Sequence, residues 1–173
     1  MSSFQPHEYD SVGMTQTDWS EADYDSLSWH DNHVYGLEIH EGEDGTGKLI
    51  LHLDHILEWL PPINGTYSFR IAPAILSFHE VSGLKLELDY LAVSAGMTPF
   101  SIGQISRETV TYTTGYNSYR WSISINWPEG FITFEAPAFT QSLLAAPVVS
   151  ADQVLPVSVR TAALAGRASG DVL

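Results

Sequence analysis

The chain has 173 residues, 44% of them hydrophobic and 12% aromatic, with a net charge of −14 and no cysteine. That length suits one domain with its own hydrophobic core, and the missing thiols exclude disulfides, zinc–thiolate sites, iron–sulfur ligation and cysteine nucleophiles. Residues 1–60 hold 13 of the 21 acidic residues against one base, Lys48, a field that repels phosphate backbones and anionic head groups; nucleic acid and membrane are therefore not expected as partners, whereas a basic protein is.

Residues 1–27 are polar and acidic without a sustained period, and read as an irregular N-terminal arm. Its aromatics, Trp19 and Tyr24, suggest that part of it docks on the body. Met1-Ser2-Ser3-Phe4-Gln5-Pro6 lacks the basic start and apolar core of a signal peptide, and no apolar run approaches the length of a membrane span. The expectation is a cytoplasmic, bacterial protein.

The first credible strand opens at Trp29-His30-Asp31-Asn32-His33, with His33, Tyr35, Leu37 and Ile39 on one face. Glu41 to Gly47 has hairpin-loop chemistry and lacks the ligand spacing of a calcium loop. Lys48 to Ile56 returns as a strand with Leu49, Leu51 and Leu53 on its apolar side. A seven-residue loop sets Ile39 against Leu49, Leu37 against Leu51, Tyr35 against Leu53 and His33 against His55.

After Pro61-Pro62 and an Asn64-Gly65 turn signal, Tyr67 to Val81 reads as a long strand interrupted at Pro73. Leu84, Leu86, Leu88 and Tyr90 then alternate inward, as in an antiparallel strand with one wet face. Residues 91–100 read as a loop, Ile102 to Thr114 as a strand and Gly115 to Ser118 as a turn. Tyr119, Trp121, Ile123, Ile125 and Trp127 form the clearest alternation, closed by Pro128-Glu129-Gly130 and answered by Phe131 to Ala138. Residues 144–173 are apolar but broken by prolines, and read as an extended or partly disordered tail, with Thr161 to Arg167 able to make a short helix. The whole predicts an all-β, mainly antiparallel domain over 28–143, a sandwich or partly closed barrel of about seven or eight strands.

Three constellations carry chemistry. Residues two apart on a strand share a face, so Asp31 and His33, with His55 across the ladder, could ligate a divalent metal (zinc, iron or manganese); the other reading has neutral histidines bonded to backbone at the core edge, with Asp31 capping a turn. His52 and Asp54 share the second face of their strand and read as exposed, since no serine elbow is present for them to serve. Trp29 and His30, with Tyr119, Trp121 and Trp127, make either a ligand or surface site or simply core, the stripe being uniformly apolar.

The Trp29-His30-Asp31 opening, the hairpin return ending near Leu53-Asp54, the Leu76-to-Leu84 passage and the closing Trp121-x-Ile123 and Ile132-x-Phe134 pair resemble small bacterial β-rich proteins. These are similar in turn to some immunity-protein families of polymorphic toxin systems. The resemblance spans residues 28–143 and implies a non-enzymatic, partner-binding role with no catalytic residues to carry over. A metal-dependent enzyme using Asp31, His33 and His55 and a β-barrel holding a small ligand are the alternatives. An exposed edge strand would also allow a homodimer.

Overall fold

The computed structural model describes residues 16–91 and 96–170. Nine antiparallel strands are joined in one sheet: β1 (Asp18–Ser20), β2 (His33–Glu41), β3 (Gly47–Ile63), β4 (Thr66–Leu88), β5 (Phe100–Thr111), β6 (Asn117–Trp127), β7 (Gly130–Ala136), β8 (Ala138–Leu143) and β9 (Val148–Ser150). A 3-10 helix, Glu21–Ser26, follows β1, and an α-helix, α1 (Val157–Gly170), ends the chain. Among the described residues no helix is long and apolar enough to cross a membrane.

β4 is the spine. On one edge it pairs with β3 from Thr66 to Val81; on the other it meets β9, β8 and β7 in succession. Since β7 continues through β6, β5 and β2 back to β3, the sheet bends into a ring, the partly closed architecture that short antiparallel strands at hairpin spacing predict. The seam is narrow: β2 meets β5 only at His33↔Ser101 and Val34↔Phe100.

Leucines 49, 51 and 53 are fully buried and lie across from Phe78, Leu76 and Ala74. They fill the ring with Trp121, Ile123, Ile132 and Phe139, as strict strand alternation requires. Turn chemistry holds at Asn64-Gly65 and at the β2–β3 loop, whereas Ser82-Gly83, which reads as a turn in the sequence, lies inside β4. Asn64 and Gly65 both have positive φ (55° and 81°), the pair demanded by a tight hairpin, and a β-carbon on Gly47 would sit 2.5 Å from the His40 carbonyl oxygen. Pro73 does not interrupt β4. It lies where the neighbouring chain leaves the ladder between β8 and β9, so no partner there needs its missing N–H, and its own carbonyl accepts from the Leu144 N–H at 2.8 Å.

Several expectations are corrected. Leu86 is exposed, with Leu84 and Leu88 half-buried, because β4 has run past β3 and has only β7 beside it. The strand expected to end at Val81 continues to Leu88, with a bulge at His79 and Glu80, Glu80 taking a φ of 53°. The described part of the arm, from Gln16, docks on the body as its aromatics predict, its earlier part lying outside the described residues: Trp19 is buried, and Arg107 ion-pairs with Glu21 while lying over the rings of Tyr24 (3.9 Å) and Tyr119 (4.2 Å). The segment after β8 is docked on the sheet: β9 pairs with β4, the short helix expected at Thr161–Arg167 falls within the longer α1, and Leu155, just before α1, packs with Val159 against Ile56, Phe69 and Ile71.

Candidate functional site

The five residues opening β2 form a staple across the seam of the ring. Asp31 takes the left-handed conformation (φ 61°), which a short polar side chain tolerates. Its N–H donates to the Ile102 carbonyl at 2.9 Å, and the Ile102 N–H donates back to the Asn32 carbonyl at 2.9 Å. The strand therefore starts at His33, and the parity that would place Asp31 beside His33 is broken. The Asp31 carboxylate turns instead to Asn126 Nδ2 (2.9 Å) and Gln153 Nε2 (3.4 Å), with the exposed imidazole of His30 at 3.2 Å.

Register decides the histidines. From Gly36↔His52 to Glu41↔Gly47 the β2–β3 ladder follows the predicted pairing, but a bulge at Tyr35 shifts it by one residue, and His33 faces Asp54 instead of His55. His33 is half-buried; burial lowers its pKa, partly opposed by the Asp31 backbone and the Asp54 charge. His55 is 3% exposed. Its Nδ1 lies 2.8 Å from Asn32 Nδ2, while Asn32 Oδ1 accepts the Ile56 N–H at 3.2 Å. A backbone N–H must meet the amide oxygen, so Asn32 presents its NH2 to the ring and the Nδ1 lone pair is occupied. Trp19 packs edge-on at 5.5 Å. Among the described residues, no group of three or more His, Asp or Glu is placed to hold a metal ion. Asp31 and His55 are thus held in separate hydrogen-bond sets, and His33 faces Asp54.

Burial pushes the His55 pKa down to about 4 from 6.5. The unfolded chain takes up a proton that the native state refuses, so stability falls as pH drops from about 6.5 towards 4 and levels off below. The loss is roughly 3 kcal/mol. Urea denaturation at pH 7 and pH 4.5 is expected to show most of this loss for the native chain and a correspondingly flatter dependence for His55→Gln; equal slopes would contradict the assignment.

Asp54, expected at an exposed face, has no exposed surface. Its carboxylate accepts from Arg160 Nε (3.1 and 3.2 Å), from Arg160 Nη2 and from the Leu155 N–H (2.9 Å). The guanidinium also lies 4.4 Å over the Tyr35 ring. His52, on the same face, meets Glu38 Oε1 at 2.6 Å, and the second Glu38 oxygen meets His40 Nε2 at 2.6 Å; these contacts lower the Glu38 pKa. The face is dry at Asp54 because α1 covers it.

The aromatic set divides. Trp121 is fully buried, donating from Nε1 to the Ala136 carbonyl at 2.9 Å, and Trp29 is buried with Nε1 on Gln141 Oε1 at 2.8 Å. Tyr119 is half-buried against Arg107, while His30 and Trp127 lie outside. Of the two readings of the stripe, core holds at Trp121, with Phe78, Phe134 and Phe139 around the indole. Asn32, Gln141 and Arg160 went unnoticed in the sequence. Only Asn32, inside the Trp29–His33 stretch, carried a local signal.

What the fold leaves open lies elsewhere. Past Asp54 β3 has no partner but β4, and β9 covers β4 only at Phe69–Ile71, so residues 57–68 form a two-stranded arm beyond the ring. On one of its faces Trp59 stacks edge-on against Phe69 (4.9 Å) and Tyr67 (6.1 Å). Trp59 is 46% exposed, Tyr67 52% and Ile63, near the tip, 76%. At the far end of β3 a concavity of about 670 Å3 surrounds the β2–β3 turn, lined by Glu41, Glu43, Asp44 and Glu80 together with Lys48, His40 and His79. Comparison with protein-family models, curated proteins and solved structures found no match to this chain.

Proposed function

We propose that this chain is a cytoplasmic, non-catalytic β domain that binds a protein partner through the β3–β4 arm. The observation that carries the reading is the exposure of Trp59, Tyr67 and Ile63 together on a ribbon whose base is anchored by Phe69 and Ile71 under α1. Contiguous apolar surface on a folded chain marks an interaction site. Tryptophan and tyrosine are over-represented among the residues that dominate interface energies, because a large ring loses little conformational freedom on binding. Partner binding is also the role that the resemblance to toxin-immunity families implies. A basic partner would be steered by the net charge of −14 and would meet the Glu41, Glu43, Asp44 and Glu80 wall at the opposite end of β3.

The test is affinity capture from host lysate with two baits of equal far-ultraviolet circular dichroism, the native chain and Trp59→Ser/Tyr67→Ser. The expected result is a protein retained by the first and lost, at least tenfold, from the second. Equal retention would move the contact off the arm. Elution by moderate salt would add a basic contact at the acidic end, since attraction between exposed charges weakens with ionic strength.

A further inference from the structure

We infer that the occupant of the arm is a second copy of this chain, the two arms packing face to face through Trp59 and Tyr67 about a twofold axis; this rests on the arm being a contact surface. Three observations select the partner.

The first is charge. Within residues 57–68 the one side chain charged at neutral pH is Glu58, and it is paired with Arg70 at the base of the arm (Nε to Oε2, 3.2 Å). In a chain of net charge −14 the arm with Arg70 is balanced in charge, so it offers little to attract a basic partner. From Leu57 to Ile63 the strand rises roughly 20 Å, well beyond the Debye length of about 8 Å at physiological salt. Two like-charged bodies can therefore meet at their arm tips with their mutual repulsion screened.

The second is the arm's edge. Pro61 and Pro62 stand in β3, where it has lost β2 as a neighbour. Prolines cannot donate to a ladder, which is how exposed edges are blunted against strand addition. An extended peptide pairing along the β3 edge would lack such hydrogen bonds, which disfavours strand addition there and favours contact through the face that carries Trp59 and Tyr67, met by a preformed apolar surface.

The third is self-complementarity. Trp59 and Tyr67 are diagonal neighbours across an antiparallel pair, with rings at 73° to each other. Related by a twofold axis, the indole of one copy can lie on the tyrosine of the other and the reverse, the isologous arrangement of a symmetric dimer. Each half-exposed ring offers on the order of 100 Å2. The four rings together give about 400 Å2, and Ile63 with one proline of each copy adds to this without reaching the roughly 1,000 Å2 of a stable specific interface, since adjacent prolines point to opposite faces. The dimer is therefore expected to be weak and transient.

Sedimentation equilibrium of the full chain from about 5 to 500 µM, at about 0.05 and 0.5 M NaCl, tests this. The expected result is a monomer–dimer equilibrium that higher salt leaves unchanged or strengthens, weakened at least tenfold in Trp59→Ser/Tyr67→Ser and unchanged in Leu86→Ser, which removes exposed apolar surface elsewhere. A monomer at every concentration overturns the inference, as does dimerisation that the arm variant leaves intact. If the chain stays monomeric while the arm variant still loses a captured partner, the second copy is wrong and the arm reading survives. If neither assay responds to the arm variant, both fall.

Discussion

Replacing Arg160 with methionine is expected to destabilise the protein by about 3–5 kcal/mol, the cost of leaving a buried carboxylate without its counter-charge. Asp54 has no exposed surface, and after the substitution the Leu155 N–H is its one remaining hydrogen-bond donor. Among the described side chains of α1 and its approach, Arg160, Leu155 and Ala163 are the buried ones, so the route by which Asp54 regains water is release of the helix. Amide exchange over residues 157–170 should then accelerate by on the order of a hundredfold or more, and the melting temperature should fall by about 10 °C. Adding Asp54→Leu to the variant should recover most of the loss, because an apolar pair of similar size needs no desolvation of charge. A loss below about 1 kcal/mol in the single variant would mean that the pair is solvated and α1 is held by something else.

Trp121→Ala is expected to cost about 3–5 kcal/mol, with Trp121→Phe costing distinctly less. The indole is fully buried, touches Phe78, Phe134 and Phe139, and satisfies the Ala136 carbonyl through Nε1. Alanine would leave both a cavity and an unpaired acceptor. Urea denaturation reads the loss, and a change under about 1.5 kcal/mol would show that the ring is loosely filled and restore the interior as a candidate ligand cavity.

These two variants mark where sequence reasoning reached and where it stopped. Trp121 was visible because alternation with period two survives any detail of topology: Tyr119, Trp121, Ile123 and Ile125 had to share a face, and the face rich in aromatics had to be buried. The β2–β3 pairing was legible for the same reason from Gly36 to Glu41. It failed two residues further on, since a bulge at Tyr35 depends on how β2 must bend to reach β5, a contact more than sixty residues away. That single shift removed His33 from His55 and gave it Asp54. The candidate metal triad, read from strand parity and an unbulged hairpin register, had no means of anticipating it.

Arg160 and Asp54 show the same limit from the other side. An aspartate alternating with His52 on a strand reads as a wet face, and a Pro-broken apolar tail reads as loose chain. Each judgement is locally sound. Only the return of α1 over β3 makes one residue the counter-ion of the other, across more than a hundred positions.

What the sequence by itself determined was the local and periodic content: antiparallel strands, the Asn64-Gly65 hairpin, the leucine and tryptophan core, the absence of thiol chemistry and the acidic charge. The tertiary structure alone decided which polar residues meet, because hydrogen-bonded and ionic partners are chosen by register, bulges and the docking of terminal segments, none of which leaves a period to read. It alone also decided that Trp59, Ile63 and Tyr67 stay uncovered, since exposure depends on where neighbouring strands end.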